Sequence, residues 1–242
     1  MAGLTVADKR ILVIDIGGMS VKLSVRSHAV TEAEARSFPT PANMTPAQLL
    51  EGVQQTIPDW QYDVVSLGYP GPVKNNHPWR EPVNLGTGWM DFDYEAAFSC
   101  PVRIINDAAM QALGSYRGGD MLFLGLGTGL GTAMIMDKQV VPLEAAHLPF
   151  RNGMDFEQIL GQQGLDKNGQ EVWYEDLLIT IGLLSYVFCS DYIVLGGGNS
   201  NRIEQALLPE NIFIGDNDNA FTGGVLLWDV QSPEEDTLKL VG

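Results

Sequence analysis

The apolar positions of this 242-residue chain fall into short runs that end at glycine. The first run, residues 11–16, is apolar and β-branched and stops at Gly17-Gly18, after which residues 21–26 alternate apolar and polar side chains. A second unit has the same form, with apolar runs at 121–125 and 132–136 on either side of a glycine turn. Each unit predicts two strands joined by a glycine corner. Their repetition predicts two related halves that face a shared cleft.

Further elements follow from the same patterns. Strands are predicted at residues 63–67, 102–105 and 191–195, and helices at residues 46–57, 94–98, 108–116, 171–188, 201–208 and 222–230. Thr45 and Pro46 have the form of a helix N-cap followed by proline at the first helical position. Residues 74–92 form a long irregular loop with Trp79 and Trp89, and its aromatic content argues against disorder. A loop of this kind is expected to have a functional role such as sugar binding.

Composition and charge restrict the possible partners. The chain is 45% hydrophobic and 18% charged, which is typical of a folded protein, and its 30 acidic and 14 basic side chains give a net charge of -16. A chain this acidic is expected to repel nucleic acid and anionic membranes. No apolar run reaches the roughly 18 residues of a membrane span. Cys100 and Cys189 are predicted to be buried, reduced thiols, and the expected location is the cytoplasm.

Asp15 interrupts the first apolar strand. A carboxylate in such a strand is costly to bury, so we expect a partner for it, such as a hydrated metal ion. The alternative is an aspartate that caps the turn through its own backbone.

Three glycine-rich turns are candidates for binding phosphate: Gly17-Gly18, residues 125–131, and Gly196-Gly197-Gly198. The segment GLGTGLG has glycine at every second position and precedes a strand, which excludes a dinucleotide-binding fingerprint and a P-loop. In a hairpin turn, glycines leave backbone N–H groups free to converge on an anion, with the Thr128 and Thr132 hydroxyls as further donors. Taken singly, a turn of this kind is more often structural.

Candidate acids, bases and hydroxyl-binding groups occupy three places. Asn106-Asp107 lies between a strand and a helix, where Asp107 could take a proton from a hydroxyl or could simply cap the helix. Glu144 and His147 lie three residues apart beside a polar stretch and could hold a sugar hydroxyl, although His147 alone would be read as structural. The segment 68–73, GYPGPV, could bring backbone close to a ligand or be only a turn.

The order of these motifs resembles the ROK family of sugar kinases, with the strongest likeness to its polyphosphate/ATP glucokinases. The series is DIGG, GYPGPV, NL followed by GW, INDA, LGTGLG, E-x-x-H and VLGGG, and it spans residues 11–228. Each motif alone is weak, and the ordered series carries the resemblance.

The resemblance implies an α/β, actin-like (ribonuclease H-like) fold of two domains with the active site in the cleft between them. The expected division is a smaller domain at residues 1–106 and a larger one at residues 107–224. A C-terminal helix at about 225–242 is expected to pack back onto the smaller domain.

The same resemblance assigns roles by position. Asp107 would be the general base on the sugar hydroxyl, and Asn84, Asn106, Glu144, His147 and Gly71 would bind the sugar. The phosphoryl donor would be bound by Asp15, Gly17, Gly18, Lys22, Gly127, Thr128, Gly129, Gly131, Gly196, Gly197 and Gly198. Asp15 would also hold Mg²⁺ through water. No zinc site is expected, because the cysteine-rich motif of many members is absent.

The implied reaction is phosphoryl transfer from ATP or polyphosphate to a hexose, with the 6-hydroxyl of glucose as the first candidate. ATP is favoured because the basic residues that could bind polyphosphate are scattered in the sequence: Lys74, Arg80, Arg103, Arg117 and Lys138. The expected partners are therefore a sugar and a nucleotide, and the family resemblance implies a homodimer.

Two departures from the family pattern leave alternatives open. Met19 replaces a small polar residue, although Ser20 follows it, and Glu144-Ala145-Ala146-His147 lacks the glycine of the usual E-x-G-H. The first alternative is a non-catalytic sugar-binding or regulatory relative. The second is a kinase of the same superfamily that acts on a non-sugar substrate.

Overall fold

A computed structural model describes residues 9–216, 218–229 and 239–240. The strands in this part are β1 (Ile11–Ile16), β2 (Ser20–Arg26), β3 (Thr31–Pro39), β4 (Val64–Tyr69), β5 (Val73–Lys74), β6 (His77–Pro78), β7 (Val102–Asn106), β8 (Met121–Leu126), β9 (Leu130–Met136), β10 (Gln139–Leu143), β11 (Pro149–Arg151), β12 (Met154–Asp155), β13 (Tyr192–Gly196), β14 (Ile212–Ile214) and β15 (Lys239–Leu240). The α-helices are α1 (Pro46–Thr56), α2 (Tyr94–Phe98), α3 (Asp107–Ser115), α4 (Phe156–Leu160), α5 (Gln162–Asn168), α6 (Gln170–Phe188) and α7 (Asn219–Leu226).

Two mixed sheets form the framework. The first has the order β3-β2-β1-β4-β7, in which β1, β2 and β3 are antiparallel and β4 and β7 run parallel to β1. The second has the order β14-β13-β8-β9-β10-β15, in which β8, β9 and β10 are antiparallel and β13 and β14 run parallel to β8. The repeated strand-turn-strand pattern of the sequence thus forms equivalent hairpins, β1-β2 and β8-β9, each beside a parallel strand.

The sheets lie on either side of the helix pair α3 and α7. One core cluster joins apolar residues of both sheets and both helices, among them Val13, Leu113, Phe123 and Phe221. The outer face of the first sheet packs against α1 and α2, and the outer face of the second sheet packs against α4, α5 and α6. The molecule therefore has five layers, with the glycine corners of both sheets opening on one cleft.

Glycines bring α3 and α7 into direct contact. A Cβ added at Gly223 would overlap the carbonyl oxygen of Met110, and one added at Gly114 would overlap that of Asn219. On the other side of α7, the Ser66 hydroxyl of β4 donates to the Gly224 carbonyl at 2.6 Å. Because α3 begins at Asp107, this tight contact also fixes the position of Asp107.

Most predicted elements are confirmed within a residue or two, and some are wrong. Thr45 caps α1 in a capping box with Gln48, and α6 matches the helix expected at 171–188. The helix expected at 201–208 is wrong, because the chain forms short 3-10 segments at Gly198–Arg202 and Gln205–Leu207 instead. The loop at 74–92 contains the small hairpin β5-β6, and the polar stretch after Leu148 contains β11, β12, α4 and α5. The expected burial of both cysteines is also wrong, because Cys100 is only partly buried and Cys189, at the end of α6, is exposed.

The C-terminal segment differs from the helix expected at about 225–242. Helix α7 begins earlier, contacts β1 and ends at Leu226, while Lys239–Leu240 pair in parallel with β10. Residues 230–238, 241 and 242 lie outside the described part. The division into domains at residue 106 stays a prediction, and it coincides with the end of β7.

Candidate active site in the cleft

The cleft between the two sheets encloses a cavity of about 240 Å³. Its lining includes most of the residues that the sequence singled out: Gly17, Gly18, Gly71, Asn84, Asn106, Asp107, Gly127, Thr128, Gly129, Gly131, Glu144 and His147. Asp15, Lys22, Gly196, Gly197 and Gly198 do not line it. The fold thus gathers residues from both halves of the chain at one place.

Asp107 stands at the first position of α3, partly exposed to the cleft. The helix cap is Asn106, whose Oδ1 accepts from the Ala109 N–H at 3.0 Å, so Asp107 is not the N-cap. Its own Oδ1 accepts from the Ala108 N–H at 2.8 Å. Burial, and then the negative charge of Asp15, raise the pKa of Asp107 to about 7, and Glu144 acts in the same direction. Asp107 is therefore poised to exchange a proton near neutral pH.

Asp15 is 4% exposed at the end of β1. Within the described part of the chain, its Oδ1 has no hydrogen-bond partner. Burial raises the pKa of this carboxyl, and Lys22, directly across the β1-β2 ladder, acts against the shift. A buried carboxylate oxygen without a donor, beside the cleft, fits a residue that holds a hydrated Mg²⁺.

The two hairpin turns face each other across the cleft. The Gly17 N–H donates to the Ser20 carbonyl at 3.1 Å, and the Gly127 N–H donates to that of Gly129 at 3.1 Å. A Cβ added at Gly18 would lie 2.6 Å from Thr128 Oγ1, so a side chain at this position would meet the opposite turn. The two turns therefore touch at Gly18 and Thr128, and the N–H groups of Gly17 and Gly127 make their hydrogen bonds within their own turns. Backbone of both turns lines the cavity beside this contact.

The third glycine turn lies behind the second one. Gly197 has a φ of +79°, and a Cβ there would overlap the Leu126 carbonyl. Next to it, Asn199 donates from Nδ2 to the Gly127 carbonyl at 3.3 Å and to Gln162 Oε1 at 3.0 Å. This turn supports the Gly127 turn from outside the cavity.

Glu144 and His147 lie at the other end of the cleft, on the 3-10 turn Ala145–His147. His147 Nε2 is 3.9 Å from Glu144 Oε2, and His147 Nδ1 is 3.7 Å from Asp155 Oδ2. Burial raises the pKa of Glu144. Both side chains of the pair are half exposed, which leaves them available to a ligand.

The backbone of the turn Ala145–His147 has a conformation that alanine adopts without strain. Ala146 is buried and does not have a positive φ, so the position where the family has glycine needs no glycine here. Thr132 holds the segment in place, since its hydroxyl donates to the Leu143 carbonyl at 2.9 Å and accepts from the Ala145 N–H at 3.1 Å. The expectation that Thr132 donates to an anion is therefore wrong.

Asn84, Asn106 and Gly71 lie on the side of the first sheet. Asn106 Nδ2 donates to the Gly71 carbonyl at 3.3 Å, which links the end of β7 to the turn after β4. Because its Oδ1 caps α3 and its Nδ2 bonds to Gly71, both polar atoms of the Asn106 side chain make hydrogen bonds within the protein.

Sequence reasoning missed several lining residues, of which Glu81 and Glu157 carry charge. Glu81 accepts from the N–H groups of Gly88 and Trp89 at 3.0 and 3.1 Å. These hydrogen bonds connect the two ends of the segment 81–89, which contains Asn84. Glu157 follows the α4 cap at Asp155 and lies against Gly129 and the Leu130 N–H. The capping-box pattern at Asp155 and Gln158 indicates helix α4 in the sequence. No local sequence pattern indicates that Glu81 or Glu157 lines the cleft.

Comparison with known proteins decides the family. The model of the ROK family matches residues 11–142, more than half of the chain. The chain belongs to the ROK family. Polyphosphate glucokinase of Mycobacterium leprae is 24% identical over 210 residues, which cover 79% of this chain and 64% of that protein. N-acetylmannosamine kinase of Salmonella typhimurium is 27% identical over 142 residues, 54% of this chain and 48% of that protein. The chain thus spans less than two thirds of these ROK relatives.

Solved ROK structures share the fold. The polyphosphate/ATP-glucomannokinase of an Arthrobacter strain superposes with a TM-score of 0.79 at 24% identity, covering 92% of this chain and 99% of that one. The ROK family glucokinase of Streptomyces griseus superposes with a TM-score of 0.72 at 16% identity, covering 90% of this chain and 98% of that one. The expected actin-like α/β fold is confirmed.

Proposed function

We propose that the chain is a sugar kinase that transfers a phosphoryl group from ATP to a hexose hydroxyl, with the 6-hydroxyl of glucose as the first candidate. The observation that carries the proposal is the position of Asp107, whose pKa is raised to about 7 and which lies in one cavity with the paired glycine turns and the Glu144-His147 pair. The cavity thus combines a base, an anion site and a hydroxyl-binding pair.

Asp107 acts as the general base. Its carboxylate accepts the proton of the sugar hydroxyl while that oxygen forms a bond to the terminal phosphorus of the donor. The bond from this phosphorus to the bridging oxygen breaks, and the shortened donor leaves with that oxygen. A carboxyl with a pKa near 7 is ionised in a large fraction of molecules at neutral pH and is more basic than an ordinary aspartate.

The donor phosphates lie in the cavity beside the two hairpin turns in this proposal. Backbone of Gly17, Gly18 and residues 127–131 lines this part of the cavity, and the absence of side chains at its glycines lets a phosphate chain approach the backbone closely. Mg²⁺, when bound, would neutralise the phosphate charge. Asp15, whose Oδ1 has no hydrogen-bond partner among the described residues, is the residue that would hold it through water.

The sugar lies between the Glu144-His147 pair and Asn84. Carboxylate and imidazole together offer an acceptor and a donor at fixed positions, as recognition of vicinal hydroxyls requires. Asn106 has a smaller part than the sequence implied, because its amide caps α3 and bonds to Gly71.

ATP is preferred to polyphosphate as donor. Lys74 and Arg80 both stack on Trp79, at 3.8 and 4.6 Å from the ring centroid, while Arg117 stacks on Phe213. Arg103 donates to the Leu227 carbonyl and stacks on Trp228. These side chains are engaged at separate places, so they do not supply a continuous basic path along the cleft.

A non-catalytic role receives no specific support. Ala146 fits its turn without strain, and Met19 is 78% exposed, so its side chain does not fill the cavity.

The test is a coupled assay of the full chain with glucose, mannose, N-acetylmannosamine and fructose, each with ATP and with polyphosphate. Asp107→Asn should lower kcat by about 10²- to 10⁴-fold while glucose still raises the melting temperature. Asp59→Asn, at an exposed turn away from the cleft, is the matched control and should keep full activity. Thermal stabilisation by sugar with no turnover of either donor would refute the kinase and support a sensor.

A further inference from the structure

Helix α3 presents a second polar side chain to the cavity, one turn after Asp107. The helix is packed between the two sheets, and six of its nine residues are buried. Asp107 and Gln111 are partly exposed, and both line the cavity. Because residues four apart lie on the same face of a helix, the two side chains form one polar stripe along the wall of the cleft.

The Gln111 side chain reaches the place where the second and third glycine turns begin. Its Oε1 would lie 3.2 Å from a Cβ added at Gly196. Gly196 pairs with Gly125 in the β13-β8 ladder, and Gly125 pairs with Gly131 in the β8-β9 ladder. Gly125 and Gly131 both line the cavity. Gln111 therefore lies on the phosphate side of the cavity, away from the Glu144-His147 pair.

The side-chain amide of Gln111 has no partner in the described part of the chain. The backbone carbonyl of Gln111 accepts from the Ser115 hydroxyl at 2.7 Å, but no described residue makes a hydrogen bond to the amide. An amide has two N–H donors and an acceptor oxygen, and an unpaired polar group in a partly buried place costs free energy. A ligand with acceptor oxygens in the cavity would satisfy the donors.

The other lining residues leave few donors for such a ligand. Four carboxylates line the cavity: Glu81, Asp107, Glu144 and Glu157. Among the residues that the structure describes, no lysine or arginine lines it. The Thr132 hydroxyl already donates to the Leu143 carbonyl. Thr128 and Gln111 are therefore the side chains on the phosphate side that have an O–H or N–H to donate.

We propose that Gln111 binds the phosphoryl donor by donating an amide N–H to a phosphate oxygen. This inference rests on the proposed function, because it takes the phosphate chain to lie beside the glycine turns. A neutral donor suits this position. A cation one turn from Asp107 would pair with its carboxylate, lower its pKa and so make it a weaker base, whereas an amide binds the anion without that effect.

The rival role for Gln111 is structural support of the third glycine turn. Its Oε1 is close to Gly196, and this turn in turn holds the Gly127 carbonyl through Asn199. A side chain that only filled this space could be replaced by methionine, which has a similar length and volume, with little effect on donor binding.

The experiment measures binding of the imido analogue of ATP with Mg²⁺ by isothermal titration calorimetry on the full chain. Gln111→Met should weaken this binding about 10- to 100-fold, because a hydrogen bond to an anion is lost. Gln111→Glu should weaken it further, because a negative charge then faces the phosphates. Gln111→Lys should bind the analogue at least as tightly as the wild type. Gln54→Glu, the same chemical change at an exposed position of α1, is the matched control and should change nothing.

Kinetics with ATP and with polyphosphate complete the test. KM for the donor should follow the same order of variants, and whichever donor the wild type uses identifies the source of the phosphate. In Gln111→Lys the acid limb of the pH profile of kcat should move to lower pH, because the ammonium lowers the pKa of Asp107. Gln111→Met should leave that limb in place, and glucose should raise the melting temperature of every variant as it does for the wild type.

Circular dichroism establishes that each variant is folded, and Gln111→Met, which keeps the size of the side chain, keeps the test valid if Gln111→Glu is unstable. Equal donor binding by the wild type, Gln111→Met and Gln111→Glu would overturn this inference and leave the kinase standing. So would equal losses in Gln111→Lys and Gln111→Met, as a structural role predicts. A wild-type chain that binds neither donor and phosphorylates no sugar would overturn the proposed function and the role of Gln111 with it.

Discussion

Replacing Asp107 by asparagine should stabilise the protein at neutral pH and not at acid pH. The folded chain holds the pKa of Asp107 at about 7, against 3.8 for an ordinary aspartate, chiefly because of burial and the charge of Asp15. Because the folded pKa is the higher one, folding favours the protonated form. Asparagine resembles that form in shape and can still accept from the Ala108 N–H.

The magnitude follows from the size of the shift. Each pKa unit corresponds to about 1.4 kcal/mol, so a shift of about three units would amount to about 4 kcal/mol. Asp107 is partly exposed to the cleft, and solvent screens its interactions, so we expect about half of this. Below pH 3.8 both states are protonated and the contribution to stability is unaffected. As pH rises towards 7 the unfolded chain ionises first, so wild-type stability falls, and above 7 the loss is complete.

The assay is urea unfolding of wild type and Asp107→Asn at a series of pH values between about 4 and 8. The difference in unfolding free energy should grow from near zero to about 2 kcal/mol in favour of the variant. Asp59→Asn should show no such growth, since Asp59 is exposed. A difference for Asp107→Asn that is the same at pH 4 and 8 would refute the electrostatic argument, whatever its effect on activity.

Four further substitutions test the packing of the chain. Gly18→Val should lower turnover at least about tenfold and raise KM for the donor, because the valine side chain would overlap Thr128. Glucose should still raise the melting temperature of the variant. A fully active variant would show that the donor phosphates do not lie beside the two turns. Gly223→Ala should destabilise the fold by about 2 to 4 kcal/mol through overlap with α3. Gly182→Ala should stabilise it by up to about 1 kcal/mol, because no atom of the described residues lies within 4 Å of the added Cβ. Thermal and urea unfolding would measure both, and equal effects would contradict the packing described. Arg151→Ala should cost about 3 kcal/mol, because it leaves the Asp176 carboxylate, 1% exposed, without its ion pair. Arg151→Ala should also raise KM for sugar more than it lowers kcat. The reason is that Arg151 ends β11, and the β11-β12 hairpin positions Asp155 beside His147. A purely structural role of Arg151 would leave KM unchanged.

The strand-turn-strand units were predictable because they depend on local properties. β-branched residues favour strands, and glycine at the end of an apolar run favours a tight turn. The capping box at Thr45 is local in the same sense, since residues three apart decide it. The helix expected at 201–208 was wrong because, of its apolar residues, only Ile203 is buried and Leu207 is 61% exposed, so no continuous apolar face holds a helix against the core. The chain forms 3-10 segments instead, and the Leu207 carbonyl accepts from the Tyr174 hydroxyl of α6.

The roles of polar residues were predictable only in part. Asn106 and Asp107 were adjacent candidates, and the sequence left open whether Asp107 acts as a base or caps the helix. The backbone angles at the end of β7 give that task to Asn106 and leave the Asp107 carboxylate facing the cleft. Thr132 was taken for a donor to anions, but its hydroxyl is within reach of the Leu143 carbonyl once β9 and β10 pair.

The sequence by itself determined that two similar hairpins, an acid before a helix and an E-x-x-H pair occur in the order of the ROK family. These patterns depend on residues that are close in sequence, so they can be recognised from the amino-acid sequence alone. Only the tertiary structure decided that Gly18 faces Thr128, that Glu81 and Glu157 enter the cleft, and that the pKa of Asp107 is raised to about 7. The reason is physical: burial and Coulomb interactions depend on distance through space, and Asp15, Asp107 and Glu144 become neighbours only when the two sheets pack on α3 and α7.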